Sequence, residues 1–362
     1  MATARATWEY RDRFGDGFGR TYFRRFGPGV VSSVGLGTYL GAPTDAVDEG
    51  YERALIAGLE GGCNVVDTAA NYRCGRSERV VGRALGRADV ERDAVVVATK
   101  GGFLPFDGDR PADPADYLRE RFVEGGPVDP ADLAASQHCI APDLIDAMVD
   151  RSLDRLGVET IDCYYIHNPE TQLRVRSRAA VYDQLEATFE RLERRVAADD
   201  VGGYGVATWE AFRRPPEHDD HLSLPTVIDR ARRAAETVGR EECGFTAIQL
   251  PFNVVMADAF TTPAHEFEGD RRSALEVAHA LGVDVFTSAS LAQGDLSTEL
   301  PASVDAELSG DTPAQRAINF ARSAPGVTCA LVGTSDPNHV AENVAAGTFD
   351  PLGARAFDAV FE

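Results

Sequence analysis

Eight times along the chain, a short run of β-branched and apolar residues gives way to a stretch with helical periodicity. The strand-like runs cover residues 34–38, 64–67, 94–100, 161–167, 202–207, 246–250, 283–288 and 328–332. The helical patterns between them cover 45–59, 77–86, 144–156, 182–196, 226–238, 272–281, 313–322 and 337–346. Alternation of this kind selects a parallel sheet, because each strand needs a crossover helix to return the chain to the same end. Eight such units predict an α/β fold closed as a (β/α)8 TIM barrel. An open dinucleotide-binding sheet would carry a Gly-rich fingerprint after a strand, and none is present. Upstream, residues 21–26 and 30–33 flank Gly27-Pro28-Gly29, which predicts a β-hairpin over about 20–33 ahead of a barrel over about 34–350. The whole chain, 1–362, reads as a single domain. Three polar connections, 103–141, 210–224 and 253–270, are expected as long loops at the C-terminal face, where such loops act as lids and set specificity.

The charge balance narrows the partners. A net charge of -22 leaves no basic surface for nucleic acid or an anionic membrane, so neither is expected as a partner. Acidic residues are spread along the chain and arginine replaces lysine almost throughout, the pattern expected of a salt-adapted, halophilic protein whose self-repulsion is screened. No apolar stretch reaches the roughly 18 residues of a membrane span, and the N-terminus lacks a signal-type apolar segment, so a cytoplasmic protein is expected. The six cysteines show no CxxC spacing; Cys63, Cys163 and Cys329 read as small core fillers. His138-Cys139 has no second ligand pair at suitable spacing, so no metal site is expected. Oligomeric state is not readable.

Of 36 basic residues, 35 are arginine and one, Lys100, is lysine. A biased genome explains the scarcity but not the position, at the end of the third strand-like run. Asp67 ends the second run and His167 the fourth, and in a βα barrel strand C-termini open onto the face that carries the site. Neighbouring parallel strands lie about 4.8 Å apart, so these ends converge. Tyr72 follows Asp67 at the opening of the next helix and reaches the same mouth. A phenol is a poor proton donor near neutrality. An ammonium about 4 Å away would favour its ionisation by up to ~4 kcal/mol before desolvation is subtracted. Asp67 would keep Lys100 charged, His167 would orient a carbonyl oxygen, and Tyr72 would give or take the proton. Alone, each of these residues is as well explained by capping, packing or a structural ion pair; jointly they point to chemistry.

With these residues the chain resembles the aldo-keto reductase family. The matching segments are Gly35-Leu36-Gly37-Thr38, Asp67-Thr68-Ala69-Ala70-Asn71-Tyr72 with Gly75, Ser77 and Glu78, and Ala98-Thr99-Lys100. Ile161-Asp162, His167, Gln249, Gly333-Thr334 and Glu342-Asn343 continue the match over about residues 20–350. The resemblance implies a barrel that binds NADP or NAD without a Rossmann domain, acting on a small-molecule carbonyl or alcohol. It implies Tyr72 as proton donor, tuned by Lys100 and Asp67, with His167 orienting substrate. It also implies a cofactor-binding set of Gly37, Thr38, Asp67, Gln249, Leu291, Gly333, Thr334, Ser335 and Asn343. Within that set Gln249 would meet the carboxamide and Asn343 the adenine. Two positions depart from the pattern: Ala207-Thr208 stands where Ser-Asn is usual, and Ser288 where an aromatic stacks on nicotinamide. The stretch Gly333–His339 carries no Lys or Arg and adds Asp336, which either accepts a ribose hydroxyl or caps the helix that begins at Pro337. Trp209 and Phe212 are placed to line the substrate mouth or to pack.

The function expected is hydride transfer between NAD(P) and an aldehyde, ketone or aldose, with Tyr72 as general acid/base. A cofactor-binding redox sensor or regulatory subunit with little turnover is the alternative. A lyase using Lys100 as a Schiff-base amine is a third reading, disfavoured because Asp67 would keep the amine protonated.

Overall fold

The structure, a computed structural model, describes residues 1–361, Ser303 without its side chain. Eight parallel strands close into a barrel. They are β1 Val34–Gly37, β2 Val65–Asp67, β3 Val96–Gly101, β4 Cys163–His167, β5 Tyr204–Ala207, β6 Phe245–Pro251, β7 Asp284–Ser288 and β8 Val327–Gly333. Each is followed by a helix on the outside: α1 Asp45–Glu60, α2 Arg76–Leu85, α3 Pro142–Leu156, α4 Arg178–Ala197, α5 Leu224–Thr237, α6 Ala274–Leu281, α7 Pro313–Ser323 and α8 Pro337–Ala345. All sixteen elements lie where the sequence alternation places them, and the differences are shifts of a few residues at the ends.

Strand parity sorts the side chains into two cores. Val65, Val96, Ala98, Cys163, Tyr165, Ala207, Ala247, Phe286, Cys329 and Leu331 fill the barrel interior. Their sequence neighbours Val66, Val97, Tyr164, Ile166, Val206 and Ile248 point outward and pack under the helices. Burial on both faces is why these strands read as continuous apolar runs. Where β5 meets β6, a Cβ on Gly205 would lie 1.7 Å from the Ala247 carbonyl oxygen, at a register shift that only glycine accommodates.

The hairpin pairs Phe23–Phe26 with Gly29–Ser32. Val31 and Phe26 join the interior cluster, and the Phe26 ring meets Phe286 edge-on at 5.5 Å, so the hairpin plugs the N-terminal mouth. One element is unexpected from the sequence. The helix Ala4–Phe14 buries only Ala6, Thr7 and Tyr10 beside the hairpin, too little apolar surface to leave a periodic signal. No described helix is long and apolar enough to cross a membrane.

Candidate active site

The parity that fills the barrel also builds its open end. Residues 65 and 67, 96, 98 and 100, 163, 165 and 167, and 247 and 249 alternate inward along their strands. The last inward positions of the first three of these strands are therefore Asp67, Lys100 and His167, and Gln249 holds the inward phase of the fourth one step before its end at Pro251; all four are polar. Register pairs Lys100 with Tyr165, His167 with Ala207, and Ala207 with Gln249 around the rim.

Lys100 is fully buried, its Nζ 2.6 Å from Asp67 Oδ2 and 2.8 Å from the Thr68 carbonyl oxygen. Gln249 Nε2 donates to the other Asp67 oxygen at 2.7 Å, so both carboxylate oxygens are engaged. Burial pushes the Lys100 ammonium below its usual range, and Asp67 opposes that. The ammonium also sits 4.9 Å from the centroid of the Tyr72 ring. Tyr72 opens a short 3₁₀ turn, Tyr72–Gly75, in which Arg73 (φ 48) and Cys74 (φ 58) adopt left-handed backbone conformations. Burial pushes the Tyr72 phenol well above its ordinary pKa, and the Asp67 charge and Tyr39 add to this. Desolvation, and not the nearby ammonium, is thus the largest influence on this phenol in the folded protein. The phenol is protonated at neutral pH.

The His167 ring lies 5.9 Å from the Tyr72 ring, edge-on, and Phe103 closes its other side at 5.1 Å. Burial, then Lys100 and His138, hold its imidazole well below its usual pKa, so it is neutral. Its Nδ1 is buried without a partner. His138 has a structural role: its Nε2 meets the His167 carbonyl oxygen at 2.8 Å, while Gln172 holds its Nδ1 at 3.0 Å. Among the described residues no group of three or more His, Cys, Asp or Glu is arranged to hold a metal ion.

These residues border a cleft of about 1070 Å³ across the C-terminal face. Asp67, Tyr72 and His167 lie on its floor, and Lys100 sits beneath, outside the lining. Of the expected cofactor set, Gly37, Thr38, Asp67, Gln249, Leu291, Gly333, Thr334 and Asn343 line the cleft. Ser335 does not: it is exposed, its backbone carbonyl close against Gly50 of α1. Asp336 caps α8, its carboxylate accepting from the Asn338 amide at 2.9 Å. Glu342 does line the cleft, as do Thr334 and His339; the arginines of the lining are Arg73, which is bonded to Asp48 of α1, and Arg110. The residues fit a dinucleotide: a long cleft with small side chains, bare backbone at Gly37 and Gly333, and side-chain donors spread along it.

The loops contribute unequally. The 103–141 connection supplies Phe103, Leu104, Phe106, Arg110 and Gln137 to the lining, and its two ends are clasped by bonds from Leu104 N to Gln137 O and from Cys139 N to Gly102 O. No residue of 210–224 or 253–270 lines the cleft. The latter forms a small hairpin, His265–Phe267 with Asp270–Arg272, and packs Phe260 on Phe357. Trp209 lines the mouth, whereas Phe212 is core. Thr208, which the sequence marked as a departure from the family pattern, also lines it; so do Asn168 and Tyr39, which carry no motif by which the sequence would single them out.

The sequence profile of the aldo/keto reductase family matches residues 33–362. A putative voltage-gated potassium channel subunit beta of Schizosaccharomyces pombe is 24% identical over 334 residues, covering 88% of this chain and 85% of that protein. An aldo-keto reductase of Mycobacterium avium is 31% identical, but over 126 residues, 35% of this chain and 31% of that protein. Among solved structures, the glycerol dehydrogenase of Gluconobacter oxydans superposes with a TM-score of 0.64 at 21% identity, covering 95% of each chain. An aldo-keto reductase of Klebsiella pneumoniae, solved in complex with NADPH, superposes at 0.59 and 21% identity, covering 93% of each. These structural likenesses speak to the barrel; the profile match, spanning nearly all of the chain, speaks to descent. The chain belongs to the aldo/keto reductase family and is an oxidoreductase of that family.

Proposed function

We propose that the protein interconverts a carbonyl compound and its alcohol, using NADP or NAD, with Tyr72 as general acid/base. The single observation that carries this is the buried Lys100–Asp67 pair directly beneath Tyr72, with neutral His167 alongside, on the floor of a cleft long enough for a dinucleotide. The bound cofactor supplies or accepts the hydride. Tyr72 donates its phenolic proton to the substrate oxygen in reduction and takes it back in oxidation. His167 gives the same oxygen a hydrogen bond without competing for the proton, because burial keeps it neutral. Lys100 places a fixed positive charge below the phenol, and Asp67, held in turn by Gln249, fixes the ammonium's position. Gly37, Thr38, Leu291, Gly333, Thr334 and Asn343 would hold the dinucleotide along the cleft, and Gln249 its carboxamide; Ser335 would reach it only by turning from α1. The Schiff-base reading has little support, since Lys100 does not line the cleft and is paired with a carboxylate.

A redox-sensing role with slow turnover draws support from Ser288, which lines the cleft where an aromatic would stack, and from the fungal channel-subunit relative. The acidic composition supports a salt-adapted enzyme. Stopped-flow oxidation of bound NADH or NADPH by a panel of aldehydes and ketones, in molar KCl, tests the proposal. Multiple turnovers support it. Tight cofactor binding with no carbonyl-dependent oxidation supports the sensor, and no nucleotide binding overturns both.

A further inference from the structure

Immediately after β4, Asn168 takes a left-handed conformation (φ 47) and donates its amide to the Ala207 carbonyl at 2.6 Å. Two residues on, the buried Glu170 turns one carboxylate oxygen toward the loop that leaves β5. That Oε1 accepts from Thr208 Oγ1 at 2.8 Å, from the Trp209 amide at 2.9 Å and from the Glu210 amide at 2.9 Å. Its other oxygen is buried without a partner. A buried carboxylate is costly to desolvate, and packing alone would be served by a neutral side chain. Three donors from consecutive residues on one oxygen fix a turn more tightly than backbone contacts would. The opposite side of the turn is held by Arg213, whose Nε donates to the Trp209 carbonyl at 2.7 Å and whose guanidinium pairs with Glu210 and Asp258.

The residue so clamped is exposed where it matters. Trp209 is 38% exposed and lines the cleft, and so do Tyr39 (57%) and Leu40 (39%). Seven large hydrophobics are exposed among the described residues, and these three share one mouth, which marks it as a contact surface for an apolar group. The Trp209 indole makes no hydrogen bond among the described residues, so the polar contacts that hold this residue are those of its backbone.

We propose that Glu170 is a positioning residue that fixes Trp209 as a wall of the cleft, and thereby sets the preference for carbonyl substrates bearing a bulky apolar group. The specificity half of this rests on the oxidoreductase reading of the cleft; the clamp does not.

The test uses a Trp8→Phe background. Trp8, the only other tryptophan, lies against Arg11 and Arg25 beside the hairpin, so its removal leaves Trp209 as the sole indole. Glu170→Ala and Glu170→Asp withdraw the acceptor, whereas Glu170→Gln keeps a carbonyl oxygen in its place. In the Ala and Asp variants, acrylamide quenching of Trp209 should rise about twofold, and KM for benzaldehyde about tenfold, with KM for propanal and kcat moving less than about threefold. Glu170→Gln should restore both readouts. Should Glu170→Ala not fold, the Asp and Gln variants still make the comparison. Unchanged quenching in Glu170→Asp overturns the clamp. Equal losses for both aldehydes, or a Gln variant as impaired as Ala, would show a general lesion and overturn the specificity role. If the unmutated protein reduces neither aldehyde while quenching changes as expected, the oxidoreductase reading falls and the clamp stands.

Discussion

Replacing Lys100 separates what its charge does from what its shape does. Lys100→Met deletes the ammonium from a fully buried site where it gives one hydrogen bond to Asp67 at 2.6 Å and one to the Thr68 carbonyl at 2.8 Å. Removing one partner of a buried pair costs about 3–5 kcal/mol, because the other charge is left uncompensated. Here Asp67 keeps the Gln249 hydrogen bond on its second oxygen, which places the loss toward the lower end, about 3 kcal/mol. At roughly 2 °C per kcal/mol for a chain this long, the melting temperature should fall by about 6 °C. Lys100→Arg keeps the charge but forces a planar, larger head into a shell that has no spare room, an overpacking cost of about 1–3 kcal/mol. The guanidinium fork would also compete with Gln249 for the second Asp67 oxygen. Both variants should retain the barrel by circular dichroism and bind cofactor within about threefold of wild type, yet lose at least about 100-fold in kcat. Steady-state kinetics at saturating cofactor, with cofactor affinity from fluorescence titration, measure this. An arginine variant that keeps most of its turnover would refute the reasoning: a compact ammonium would then be unnecessary, and the solitary lysine an accident of composition.

Two further outcomes follow from the electrostatics. Burial lowers the pKa of His138 and His265 to about 4, and His167 is depressed in the same sense. A depressed folded pKa means that the unfolded chain binds more protons below about 6.5, so this stability is present above that pH and lost as pH falls toward 4, roughly 3 kcal/mol for each of the first two. Asp284, raised to about 6 by burial, works in the opposite sense and offsets one of them. Urea unfolding between pH 7.5 and 4 should therefore show a net fall of at least about 3 kcal/mol, and a flat profile would contradict it. On the proposed placement of the adenine at Asn343, the neighbouring cleft-lining carboxylate of Glu342 would face a 2′-phosphate. Glu342→Lys should tighten NADPH relative to NADH by about tenfold in fluorescence titrations; an unchanged ratio would mean that the adenosine end lies elsewhere.

Much of this was legible in the sequence because burial on both faces leaves an unmistakable trace. Short β-branched runs such as Val95-Val96-Val97-Ala98, set between helical patterns, suit a parallel strand covered on both faces. The site follows from the same parity, since Asp67, Lys100 and His167 are polar residues on the inward phase of otherwise apolar strands. What was not legible depends on contacts across the fold. Glu170 looks like an ordinary polar residue after a strand until the loop from β5 is seen to close on it. Asp336, equally plausible as a ribose ligand or a cap, turns out to cap, while Glu342, six residues further on, lines the cleft. The ranking of desolvation over the ammonium at Tyr72 required the burial of the phenol, which strand ends do not reveal. The polar loops also looked alike: only 103–141, clasped at its base, reaches the cleft.

In the proposed reaction Tyr72 moves the proton. Single-turnover oxidation of bound NAD(P)H by an aldehyde, compared between wild type and Tyr72→Phe, tests it most directly. Cofactor affinity should stay unchanged within about twofold while the chemical step slows at least about 100-fold, because the hydroxyl is removed and the ring that packs beside His167 remains. A phenylalanine variant that oxidises the bound cofactor at near the wild-type rate would contradict it, and would move the proton donor to another group on the cleft floor.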